Sequence, residues 1–141
     1  MKTLSYILFF TYVGLVVIAG FWGAFVNPYF DHRFLFDIQL YKLPDYQMIN
    51  LVSQYRFLRA LELGYGIFSL IFFKEIFQYK IYNHLYLGIM FLGVLARFFS
   101  ILVEGTPSHL FLFFLGYELL GVVVIFFYTR GRLIPSHIVH E

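Results

Sequence analysis

The sequence predicts an all-α fold, an integral membrane four-helix bundle with an interfacial segment between the first and second helices. Three observations predict it. Of 141 residues, 61% are hydrophobic and 13% charged, against about 25% charged in ordinary soluble domains. Twenty Phe and twelve Tyr suit lipid contact and interfacial aromatic belts better than a water-soluble core. Four apolar segments reach the roughly 20 residues a helix needs to cross a bilayer. Short of a closed barrel, only helices satisfy their own backbone in lipid.

The first span is expected at residues 4–26. Asn27-Pro28 ends it, because a proline disfavours helix in the residue before it. Lys2, the apolar run and Val17-Ile18-Ala19 have some look of a cleaved signal peptide. The run continues through Trp22, Phe25 and Val26, longer than the usual apolar region of about 7–15 residues, so retention is expected. The connection at 27–50 is too long for a structureless loop in a compact domain. Phe30, Phe34, Phe36, Leu40 and Tyr41 make it apolar, while Asp31, Arg33, Asp37 and Lys42 keep it from spanning. It reads as an interfacial segment or a lid.

The second span is expected at 51–73, closed by Lys74 and Glu75, and the third at 82–103. Glu104-Gly105-Thr106-Pro107 is a turn, with Ser108 as N-cap of a fourth span at 108–128. Spans three and four then form an antiparallel hairpin. All 141 residues are expected to make a single transmembrane domain. Lys2, Lys74, Lys80, Arg130 and Arg132 fall on one side of the membrane, and Arg33 and Lys42 on the other. By the positive-inside rule both termini are cytoplasmic.

Five charges interrupt these spans: Arg56, Arg59, Glu62, Arg97 and Glu118. Each costs roughly 2.5–3.5 kcal/mol near a bilayer centre unless it is paired, hydrated or used. By helical rise Arg59 and Glu62 lie roughly 12 and 16 Å below the outer start of span two. Arg97 lies about 9 Å below the outer end of span three, and Glu118 about 15 Å into span four. All converge on the outer half. Arg59 and Glu62 are i,i+3 neighbours, as are Arg97 and Ser100, and Arg97 is the natural cation for Glu118. Gly64, Gly66, Gly93, Ala96, Gly116 and Gly121 are expected to let the helices approach closely.

Two readings stay open. Arg–carboxylate pairs can fix helix register with no ligand. Alternatively they line an outward pocket in which arginines hold an anionic or carbonyl group. The candidate site is therefore Arg56, Arg59, Glu62, Arg97, Ser100 and Glu118, as ligand-binding residues or as a charge network. The expected function is binding of a membrane lipid or amphipathic small molecule. The alternatives are an enzyme using Glu118 or Glu62 as acid or base on a lipophilic substrate, and an accessory subunit meeting a membrane protein partner.

Other chemistry is thinly represented. The absence of cysteine excludes disulfides and thiolate metal sites. His137, His140 and Glu141 have a metal-compatible spacing but no fourth ligand nearby. Asp31-His32 is undistinguished, and no histidine lies deep in a span to carry haem. No metal, cofactor or nucleic-acid partner is expected, since a net charge of +2 is small and scattered.

The run Gln54-Tyr55-Arg56-Phe57-Leu58-Arg59-Ala60, continuing to Gly64-Tyr65-Gly66, resembles a bacterial membrane family known as domain of unknown function 4345. Gly93-Val94-Leu95-Ala96-Arg97-Phe98-Phe99-Ser100, Gly105-Thr106-Pro107 and Glu118-Leu119 carry the same likeness. It covers roughly residues 50–130. The resemblance implies a four-helix inner-membrane protein with Arg56, Arg97 and Glu118 as motif positions, and the family label says nothing about activity. Arg59 stands where the resemblance leads one to expect a small residue. The plan also looks like that of small DoxX-like membrane proteins, an analogy of fold alone.

Overall fold

The computed structural model describes residues 1–135. Its elements are α1 (Lys2–Phe21) with a π-helical turn (Trp22–Val26), α2 (Pro28–Phe36), a 3-10 turn (Leu40–Lys42), α3 (Asp45–Ile71), α4 (Phe73–Gln78), α5 (Lys80–Glu104) and α6 (His109–Thr129). There are six α-helices among the described residues, where four were expected. The two additions are short: α2 lies inside the 27–50 connection, and α4 follows a break at Phe72.

Among the described residues three stretches are long and apolar enough to cross a membrane: Lys2–Val26, Lys80–Glu104 and His109–Thr129. They are the first, third and fourth expected spans. The helix of the second, α3, has 27 residues and so ample length. Any 18-residue window within it contains Arg56, Arg59 and Glu62 together, and it falls outside that apolar set.

Local chemistry accounts for the breaks. Asn27, ahead of Pro28, is held out of the helical region at φ −143°, ψ 81°. Its N–H bonds the Trp22 carbonyl at 3.0 Å, which widens the end of α1 into a π turn. The Asn27 side chain then accepts from the Phe30 N–H at 3.0 Å and caps α2, with Pro28 in its first turn. Asp37 closes α2 in the left-handed conformation, φ 54°, which Asp tolerates better than most residues. The α5–α6 turn needs Gly105 at φ 103°, where a side chain would be strained. Ser108 occupies the N-cap position of α6, but its side chain makes no capping bond. Its carbonyl instead receives the N–H groups of Phe111 and Leu112.

The chain divides into two compact units. One is Val13–Leu70. Here the later part of α1 crosses α3 at two glycines. A Cβ on Gly20 would lie 2.8 Å from the Leu63 nitrogen and 3.0 Å from the Arg59 carbonyl oxygen, and one on Gly66 would lie 2.5 Å from Val17. At Gly20 backbone thus meets backbone, and at Gly66 the Val17 side chain fills the space a Cβ would take, the packing that small residues permit.

The other unit is Met1–Tyr12 with the chain from Ile71 onward. Its α5–α6 hairpin packs with Met90 Cε against Gly121. At the opposite end from the hairpin turn Tyr6, Phe9, Phe77, Tyr86 and Tyr128 form a ring cluster, with Tyr6 stacked on Phe77 at 4.4 Å. Asn83, buried, donates to the Ile76 carbonyl at 2.9 Å and ties α4 to α5. Residues 78–80 pair with Ile134 through two backbone hydrogen bonds of 2.8 and 3.1 Å, clipping the segment after α6 onto the α4–α5 junction.

Candidate functional site

The charged residues fall into two clusters, one in each unit. In Val13–Leu70 the centre is Arg59 on α3. Its Nε donates to the Tyr55 hydroxyl at 2.8 Å and its Nη1 to Glu62 at 2.6 Å. The Tyr55 hydroxyl in turn donates to Asp31 of α2 at 2.8 Å, and the Asp31 carboxylate lies 3.9 Å from Arg59 Nε. Gly23 makes room for this arrangement, since a Cβ there would come within 2.7 Å of both Arg59 Cγ and Asp31 Oδ2. The i,i+3 and i,i+4 spacings on α3 bring Tyr55, Arg59 and Glu62 to one face. The cap at Asn27 brings Asp31 in from α2.

Arg56, one turn earlier, has no carboxylate partner among the described residues. Its guanidinium donates to the Ala24 carbonyl. In a continuous helix that carbonyl would receive the N–H of residue 28, and proline has none. An arginine has taken the vacant acceptor.

In the other unit Arg97 of α5 and Glu118 of α6 form a direct pair. Nε and Nη2 of the guanidinium donate to the two carboxylate oxygens at 3.0 and 3.4 Å. Glu118 is the more buried partner, its side chain 14% exposed against 37% for Arg97. The turn at Gly105 aligns the two helices at this level. A recess of about 140 Å³ opens beside the pair, lined by Arg97, Ser100, Ile101, Pro107, Phe111 and Leu115. The Phe111 ring lies 5.9 Å from the guanidinium carbon. Nε and Nη2 form the side edge of a guanidinium, so Glu118 occupies that edge. The other fork, Nη1 with the second hydrogen of Nη2, has no partner among the described residues.

Of the expected residues, Arg59 with Glu62 and Arg97 with Glu118 are brought into pairs, Ser100 shares the recess with Arg97, and Arg56 binds a backbone carbonyl instead of an acid. The expected charge count, three arginines against two glutamates, changes because Asp31 joins the first cluster. Asp31-His32 is therefore a structural feature. Both residues are buried, and His32 Nδ1 bonds the Pro28 carbonyl at 2.8 Å while its ring packs on Tyr55. The signal was Asn27-Pro28, which starts a helix as well as ending one.

The glycine expectation is partly corrected. A Cβ on Gly64, Gly93 or Gly116 would meet nothing within 4 Å. Gly66 and Gly121 do sit against neighbours, and Gly20 and Gly23 make the close approach instead. Among the described residues no three His, Asp or Glu side chains gather into a metal-binding group. His137, His140 and Glu141 lie outside the described residues.

An all-α chain with three stretches long and apolar enough to cross a membrane, and with charged side chains paired on its helices, fits an integral membrane protein. The chain belongs to a family described as a domain of unknown function, DUF4345, whose model matches residues 3–129. No curated protein and no solved structure matches it.

Proposed function

We propose that the protein binds a membrane lipid or similar amphiphile, with the ligand's anionic or carbonyl head in the recess at the α5–α6 turn. The observation that carries this reading is the open edge of Arg97. A guanidinium presents two forks, each matched to a carboxylate or phosphate. Glu118 takes one and fixes the orientation of the plane. Arg97 itself lines a concavity whose other walls are Ser100, Ile101, Pro107, Phe111 and Leu115, and the reading seats the ligand's head there against the remaining fork. One polar group in an apolar recess suits a head group followed by an acyl or isoprenoid tail. The recess is small, so the tail would lie along the apolar outer faces of α5 and α6, where Leu102, Phe99 and Phe113 are exposed.

In the same reading α3 is the fourth span, Arg59 paired with Asp31 and Glu62 and bonded to Tyr55, Arg56 bonded to the Ala24 carbonyl, and both termini are cytoplasmic. The recess then opens toward the outer leaflet.

Native mass spectrometry of protein extracted in a mild detergent tests the binding, with Arg97→Lys as the variant. Lysine keeps the charge and a bond to Glu118 but has no second fork. Wild type should carry an amphiphile that Arg97→Lys loses while its folded yield holds. An empty wild-type protein, or equal retention by both, would overturn the reading. A retained protein subunit in place of a lipid would favour an accessory role.

A further inference from the structure

We infer that, within the unit that holds the α5–α6 hairpin, the end opposite the recess is a docking surface for acidic phospholipid head groups, built by Lys2, Lys74, Lys80, Arg130 and Arg132. The topology gathers these residues. Tyr6, Phe77 and Tyr128 are mutual ring neighbours, with centroids 4.4, 6.5 and 6.2 Å apart. They hold together the start of α1, the α4–α5 junction and the end of α6. The two backbone bonds between Ile134 and residues 78–80 then fasten the segment carrying Arg132 beside Lys80.

All five cations are exposed, and none makes an ion pair among the described residues. Among the described residues the one carboxylate in this region is Glu75. Three of the cations are held over aromatic faces: Lys74 over Phe73, Arg130 over Phe127 and Arg132 over Tyr128, at 5.9, 4.7 and 4.8 Å from the ring centroids. A ring contact orients a cation without neutralising it. The charge therefore stays available to an anion.

The occupant follows from position. The three stretches able to cross a membrane all reach this surface, through the start of α1, the start of α5 and the end of α6. Their ends lie at head-group level, and the aromatic rings beneath the cations match an interfacial belt. Phosphate head groups of acidic lipids are the anions present at that level, and clustered Lys and Arg attract them. The surface is separate from the recess. Lys80 and Arg97 are about 26 Å apart along α5.

The test uses the full chain in nanodiscs of equal phosphatidylglycerol and phosphatidylcholine, with the co-released lipids counted by native mass spectrometry. Wild type should retain phosphatidylglycerol severalfold over phosphatidylcholine, with the preference falling as salt rises. Arg130→Gln with Arg132→Gln should bring the ratio toward one, and Lys74→Gln with Lys80→Gln, a second variant on other elements, should do the same. In an Arg97→Lys background the phosphatidylglycerol preference should persist and should then fall on adding Arg130→Gln with Arg132→Gln, which separates this surface from the recess. Equal retention of both lipids by wild type, or an undiminished preference in both double variants, would overturn the inference.

Discussion

The Arg97–Glu118 pair offers the sharpest energetic expectation. Truncating the arginine to leucine strands the Glu118 carboxylate, whose side chain is only 14% exposed. Removing one partner of a buried pair costs about 3–5 kcal/mol, and partial exposure places this case near the lower end, about 3 kcal/mol. Glu118→Leu strands the arginine instead. With 37% of its side chain exposed, Arg97 can hydrate, so the cost should be nearer about 1.5–3 kcal/mol, the range of a charged hydrogen bond. Replacing both removes the stranded charge in either case. The double variant should therefore lose less than the sum of the singles, with a coupling of about 1–3 kcal/mol. Reversible unfolding in mixed micelles, read by tryptophan fluorescence and circular dichroism, measures all four corners of the cycle. Costs that simply add, or a Glu118→Leu loss exceeding that of Arg97→Leu, would refute the pairing energetics derived from these exposures.

Other expectations rest on separate contacts. Gly20→Ala should destabilise by about 1–3 kcal/mol, because its Cβ would press on α3 backbone that cannot yield, whereas Gly93→Ala and Gly116→Ala, into open space, should be neutral or slightly stabilising; equal melting shifts for the three would remove the α1–α3 contact as the cause. Tyr55→Phe deletes the hydroxyl between Asp31 and Arg59 and should cost about 1–3 kcal/mol, a loss that thermal unfolding would register. Pro28→Ala restores an N–H for the Ala24 carbonyl, so Arg56→Gln should be better tolerated in that background than alone, and identical losses in both backgrounds would mean the arginine is not serving that carbonyl. A phosphatase reporter placed after Pro135 should be inactive while one inserted at Thr106 is active, and the opposite pattern would invert the proposed orientation.

Much of this architecture was legible from pattern alone. Long apolar runs announced α1, α5 and α6, and the turn at Gly105-Thr106-Pro107 announced the hairpin. Helical spacing and that turn also brought Arg59 to Glu62 and Arg97 to Glu118, because both pairs depend on local geometry. What escaped the sequence were contacts fixed by a cap or a close approach. Asp31 reaches Tyr55 and Arg59 only because Asn27 caps α2 and Gly23 leaves space for the side chains. Neither condition shows up as hydrophobic periodicity. The glycines misled for a related reason. A small residue permits an approach without requiring one, so Gly93 and Gly116 read the same as Gly20 in sequence and differ entirely in surroundings. Arg56 illustrates a third limit, since its partner is a backbone carbonyl vacated by proline, and pairing by side-chain charge does not find it.

Binding in the recess is tested most directly by photolabelling in lipid, with a phospholipid bearing a diazirine close to its head group. Cross-linked peptides should concentrate on residues 100–101 and 107–115 in the wild-type protein, and that labelling should disappear in Arg97→Lys while background labelling of the exposed α5 and α6 faces persists. Uniform labelling along both helices, unaltered by Arg97→Lys, would contradict a seated head group at Arg97.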